Sequence, residues 1–440
     1  MKEKEMEVPK VAGLRIGAGK QEIQIPQGYL AIEDFKEVHD PIHVRAIVME
    51  QKEKIAVISM ELTSLPEPEV KEIQKIVSDK TGIPEKNIWV CMTHSFSSPH
   101  LLPDFILKTE ENIRLKKEYS TALQQAACEA TQEAVRKIQP AKMGIQTGTC
   151  DIVANRDVKL EDGWWIGTNG TGLTDKTVSV IRFDDMEGNL IAVITHFAMQ
   201  SSVLDQSELS AGGKPVSSDV AGNACTKVEA QYENKVVALF LIGAAGDQAP
   251  VEKAVNETFV NGKRVRTDLH EEGFEICDRL AEKLKNSICS ITDEIICDQQ
   301  EVPLELCSIQ VTVPAKKMEK DLHSLVPTHA FLYEPDGEKE TTIEGLRLGN
   351  VALLGFRPEL NCATAISIMA MSDFKMTMIC TMVNGASKYM ADEVSYDRFC
   401  YEAMNSPFGR GAAEIVRDKA IELLQYMNRE DENKVKIERS

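Results

Sequence analysis

"NIWVCMTHSFSSPH" (87–100) decides how this chain is read. An apolar run that ends abruptly in Thr93-His94-Ser95 is the pattern of a buried strand emptying into a polar loop. Residues 54–62, 178–184, 190–199, 236–243, 350–356 and 377–383 are similar apolar runs, and most are apolar on both parities. Such strands are covered on both faces. Helical patterns fall between them at 67–79, 110–138, 268–288 and 410–427, the second stopped by Pro140. The alternation predicts an α/β fold, with a mixed sheet flanked by helices.

In open α/β sheets, sites lie beyond the carboxyl ends of strands. Chemically useful groups follow five of the runs. His94 follows the first, Gln200-Ser201-Ser202 the second and Gly243 to Asp247 the third. Arg357-Pro358-Glu359 follows the fourth, and Asn384-Gly385, with Tyr389 just beyond, the fifth. Each has a plain structural reading as a turn, a cap or a core aromatic. Their recurrence at strand ends points to a site.

Composition narrows the classes. The chain has 440 residues, 43% of them hydrophobic, which is ample for a large core. A formal net charge of −19 disfavours a nucleic-acid partner. No stretch reaches the roughly 18 apolar residues of a membrane span. The first ten residues, "MKEKEMEVPK", do not read as a secretory signal. Eleven cysteines without a CxxC pair fit free thiols in a reducing cytoplasm. One large catalytic-type domain over 1–430 is expected, with 290–345 peripheral, "YEPDGEKE" (333–340) a loop tip and 431–440 a frayed tail.

Two apparent motifs carry no chemistry. "GLRIGAGKQ" (13–21) mimics a phosphate loop, but its spacing is wrong and Gln21 stands where Ser or Thr is needed. Ser97 and Ser98 lie near His94, yet there is no GxSxG elbow.

The order of segments resembles the neutral ceramidase family, over about residues 12–427. "RIGAGKQEIQIP", "HDPIHVRAIVME", "THSFSSP", "ANRD", "HFAMQSSVL", "VSSDVAGNA", "GAAGDQAP", "RPEL" and "NGASKYM" with "YE" (401–402) stand where that family has its motifs. The longer members continue into an immunoglobulin-like domain not expected here. The resemblance implies a zinc site at His94, Gln200, Glu359 and Tyr389. It also implies substrate contacts from Asn155, Arg156, Ser97 and Ser218, with Asp219 or Asp247 as base or ligand-orienting carboxylate.

Three positions depart from the family pattern. Gln200 replaces a ligand histidine, Phe96 replaces the second histidine of T-H-T-H-S, and Gly243 stands at the nucleophilic serine. A carboxamide is a weaker donor than imidazole, so zinc would be held less tightly, or Mn²⁺ or Mg²⁺ preferred. His196 lies four residues before Gln200, about 13 Å along a strand, and is too far to replace it. His100 is the candidate compensating ligand. The expected activity is metal-dependent hydrolysis, by metal-activated water, of an amide or related acyl bond in a small soluble substrate. The alternatives are a ligand-binding homologue without activity, or a lyase or isomerase on the same fold.

Overall fold

The structure, a computed structural model, describes residues 13–319 and 321–429. Its centre is an eight-stranded sheet. In spatial order the strands are Val237–Ile242, Leu190–Phe197, Thr177–Asp185, Gln139–Thr149, Arg15–Glu22, His43–Glu50, Lys54–Met60 and Ile88–Met92. The two outermost pairs are parallel and the interior pairs antiparallel. The sheet is therefore mixed, as the sequence predicts.

Strand parity divides the core. Val44, Ala46 and Val48, with Ala56, Ile58 and Met60, pack against the helices Glu67–Thr81, Glu110–Arg136, Asp219–Gln231 and Glu272–Glu294. Ile47, Met49, Ile55, Val57 and Trp89 point the other way, onto a second sheet. That sheet runs Leu304–Lys316, Pro335–Leu348, Val351–Phe356 and Met376–Cys380. Its outer face buries Ala352, Leu354 and Ile379 against the helices Cys362–Met369 and Ala412–Met427. The result is four layers, helix, sheet, sheet and helix. Both parities are apolar because every strand face has a neighbour.

Two expectations need correction. The stretch 290–345 supplies two strands of the second sheet, with Val311, Val313 and Ile343 in the core. The segment 333–340 is only partly a tip, since Glu338 and Glu340 already pair with Pro314 and Thr312. The expected tail, 431–440, lies outside the described residues. The "GAG" of the opening strand has a packing role. A Cβ at Gly17 would lie 2.0 Å from the Ala134 carbonyl oxygen, and one at Gly19 2.2 Å from that of Ala130. The long helix crosses the strand at backbone contact there.

One charged cluster is buried among these layers. Arg45 donates from Nε to Glu229 at 2.6 Å and from a terminal nitrogen to Glu61. Lys20 reaches the other oxygen of Glu229 at 2.7 Å. Burial alone would raise both carboxyls, but Arg45 outweighs it and holds them low. Removing the cation strands two buried anions. Arg45→Met is therefore expected to lower unfolding free energy by about 3–5 kcal/mol in chemical denaturation; a loss below ~1 kcal/mol would contradict this role.

Candidate functional site

The carboxyl ends of both parallel edge pairs open toward the same region. After Ile88–Met92 the chain turns at His94, whose φ is 59°. Met382 and Lys388 take the same left-handed conformation, at 58° and 56°. All three line a cavity of about 480 Å³. Non-glycine residues held there are strained, and such strain gathers at functional loops. Ser95 bridges to Ser201, and Phe96 donates its N–H to the Ser201 carbonyl at 2.9 Å, tying the first loop to the one carrying Gln200. Glu359 and Tyr389 are neighbours in a short parallel pairing.

These elements bring His94, Gln200, Glu359, Tyr389 and Arg156 together. His94 Nδ1 lies 2.6 Å from the Thr63 carbonyl oxygen, which can only accept, so Nδ1 carries the proton. Nε2 then faces Glu359 Oε2 at 3.0 Å, out of line for a hydrogen bond. The same Glu359 oxygen accepts from Gln200 Nε2 at 2.7 Å, and Gln200 Oε1 accepts from Arg156 at 2.8 Å. Arg156 also donates from Nε to Glu402 at 2.7 Å. Its guanidinium lies 5.1 Å from the Tyr389 ring centroid and 5.9 Å from that of Tyr401. Burial would lower the pKa of Arg156, yet Tyr389, Glu402 and Glu359 hold it well above its usual value. Burial also pushes the Tyr389 phenol far up, so it stays protonated.

This geometry tests the expected zinc site. Arg156 can only donate, so the Gln200 atom it meets is the carbonyl oxygen. The amide nitrogen is left to face Glu359, and an N–H group has no lone pair for a metal. His94 and Glu359 are placed as ligands would be, but Gln200 is not, and its oxygen is committed to a cation already present. As arranged, the four residues do not fit a tetrahedral zinc ion. His196 offers no substitute, since its Nε2 meets the Ile379 carbonyl at 3.0 Å. His100 also lines the cavity, with Nδ1 2.8 Å from Glu33.

The other expected residues mostly build the surroundings. Asp219 accepts from the backbone N–H groups of Val203, Leu204 and Val220 and from the Ser201 hydroxyl. It shapes the 201–204 loop and has no free oxygen to act as a base. Asp247 accepts from Asn155 Nδ2 at 3.0 Å and Cys362 N at 2.8 Å. Burial pushes its carboxyl up to about 6. Asn155 spans Asp247 and the Leu173 carbonyl, so it positions Arg156 from the adjacent residue. Ser218 is bound to Asp40, and among the described residues the buried Ser97 hydroxyl has no partner; neither lines the cavity that His94 and Glu359 face. At Gly243, a Cβ would lie 2.8 Å from Ala198 Cα, so a serine has no room.

Behind Arg156, ligand atoms of Asp157, Cys400 and Glu402 lie within 4.8 Å of one another, all buried. Arg156 already supplies this cluster with a cation. Burial, then the charges of Glu402 and Asp247, raise the Asp157 carboxyl well above its usual range, so it holds a proton. Tyr401 and Glu402 had no assigned roles in the sequence. Their only signal was the "YE" pair in the closing segment.

No protein-family model matches the chain. No curated protein matches it either. Among solved structures it is similar to neutral ceramidase from Pseudomonas aeruginosa, with a TM-score of 0.72 and 17% identity over 94% of this chain and 74% of that one. It is similar also to a ceramidase complexed with C2, with a TM-score of 0.73 and 16% identity over 94% and 75%. The fold is that of the neutral ceramidases, in a divergent form.

Two measurements check these assignments. Elemental analysis of the purified chain is expected to find substoichiometric zinc, and Gln200→His to raise it. Near-stoichiometric metal that His94→Ala abolishes would overturn that reading. The raised Asp157 carboxyl adds stability that is fully present below its unfolded value, about 3.9, and is lost as pH rises toward its higher folded value. Asp157→Asn, which mimics the protonated acid, is expected to flatten that decline in pH-dependent denaturation. An unchanged slope would show that Asp157 is ionised in the folded chain.

Proposed function

We propose that this chain is a hydrolase cleaving an amide or related acyl bond of a small soluble substrate in the chamber faced by His94 and Glu359. The observation that carries the reading is the pairing of His94 Nε2 with Glu359 Oε2 at 3.0 Å on the wall of a cavity of about 480 Å³. With Nδ1 protonated, Nε2 presents its lone pair beside the Glu359 carboxylate. That arrangement suits a base that takes a proton and a carboxylate that stabilises the resulting imidazolium.

The step balances with water as the only co-reactant. His94 Nε2 removes a proton from water, and the water oxygen bonds to the acyl carbon. The negative charge on the carbonyl oxygen is met by the Tyr389 hydroxyl and the field of Arg156. The C–N bond then breaks, and the proton on His94 passes to the leaving amine. The crowding at Gly243 supports this direct route over an acyl-enzyme at that position.

Neutral ceramidase on the same fold supports carbonyl chemistry by analogy only. The metal-activated water of the sequence reading would require Gln200 to leave Arg156, so it is not part of this proposal. Among the described residues no helix is long and apolar enough to cross a membrane. All eleven cysteines are free thiols, which suits the cytoplasm. The committed Gln200 favours one second reading, a ligand-binding protein that keeps the chamber without turnover.

A panel of short-chain N-acyl amides and esters, followed by product mass, tests the choice. His94→Gln and Glu359→Gln are each expected to lower kcat/KM by about 100-fold or more. Saturable binding by wild type without any product would favour the ligand-binding reading instead.

A further inference from the structure

We propose that a second, smaller cavity is an anion subsite in which Lys253 receives a carboxylate. The preferred substrate is then an apolar acyl group joined through an amide to a carboxylate-bearing amine. This rests on the hydrolase reading above and deepens it.

The smaller cavity, of about 220 Å³, adjoins the first, and Phe96, Tyr389 and Tyr401 line both. The two chambers differ in character. The larger is walled by Leu65, Leu101, Leu102, Pro103 and Met382 and suits an acyl chain. The smaller is lined by three cations, Arg156, Lys253 and Arg266, by Gln200, and by two carboxylates, Asp205 and Glu257. Backbone pairing explains why. The strand Gln248–Pro250 runs antiparallel to Val153–Leu160, with Gln248 opposite Asn155. That register places the Lys253 loop beside Arg156.

Among the described residues, Lys253 is the cation of this cavity that no carboxylate or carbonyl oxygen holds. The Arg156 guanidinium is held by Glu402, and Arg266 by Asp268 at 3.5 Å and the Gln206 carbonyl. Glu257 is taken by Arg264 at 3.2 Å, and the oxygens of Asp219 by backbone and hydroxyl donors. Asp205, which lines the same cavity, is the opposing charge that acts most strongly on Lys253, and it accepts from Gln206 Nε2 at 3.4 Å. Among the described residues, no carboxylate oxygen comes within 4.0 Å of Lys253 Nζ. Burial lowers the ammonium's pKa, and the side chain is half-buried at the cavity wall. An incoming carboxylate would supply the missing counter-charge. An amide spanning the junction would put its acyl chain in the larger chamber and its carboxylate against Lys253.

Three matched amides test this: N-octanoylglycine, N-octanoylethanolamine and N-octanoylethylenediamine, which end in an anion, a neutral group and a cation. Wild type is expected to take the glycine amide with a KM lower than the ethanolamine amide by about tenfold or more. Lys253→Gln should abolish that preference by raising the KM of the glycine amide toward that of the ethanolamine amide, with an unchanged circular-dichroism spectrum showing that the variant folds. Lys253→Glu should shift the preference toward the diamine. Hydrolysis of all three without charge preference, unchanged in both variants, would overturn the subsite and leave the hydrolase reading intact. If none is hydrolysed, the hydrolase reading fails. Calorimetry with N-octanoylglycine then decides the subsite: binding that Lys253→Glu abolishes upholds it, and no binding overturns it.

Discussion

The site is organised around the guanidinium of Arg156. It is a buried cation whose every neighbour is oriented by its inability to accept a hydrogen bond. It turns the Gln200 amide so that oxygen faces it and nitrogen faces Glu359. It binds Glu402 through Nε, next to Asp157, whose carboxyl burial raises, and lies against two tyrosine rings. Asn155, bound to Asp247, fixes the strand that delivers it. Most of the residues singled out as chemical serve this cation at one remove.

The fold puts those residues in place through its two parallel edges. An antiparallel pair sends successive strand ends to opposite rims, whereas a parallel pair sends both carboxyl ends to one. Here both outer pairs of the large sheet are parallel, as is one pair of the second sheet. The loops carrying His94, Gln200 and Glu359 therefore meet, and side chains far apart in sequence come within hydrogen-bond distance. The left-handed turns at His94, Met382 and Lys388 record how sharply the chain must bend to meet there.

Much of this was legible in the sequence. Apolar runs on both parities announced fully covered strands, and polar groups just past them announced the site. The rest depends on partners that spacing does not reveal. The second cover of the main sheet is itself a sheet, because the polar-looking stretch 304–348 packs Leu346 and Leu348 on the main sheet and Val311, Val313 and Ile343 on the outer helices. Asp219 reads like a base in sequence, but three backbone N–H groups consume its oxygens. The substitution at Gln200 was visible, whereas its orientation was not, since that depends on Arg156 from a strand more than forty residues earlier. Lys253 carried no sequence signal at all; its interest lies in what fails to approach it.

An amide held to an arginine, where the resemblance implies a ligand histidine, would also change how the site comes into being. A bound ion must be acquired after synthesis, competes with other ions and can be withdrawn. A guanidinium is part of the chain and arrives with folding. On the metal-free reading proposed above, a centre built this way would have no unloaded form, and its activity would not follow the supply of trace elements.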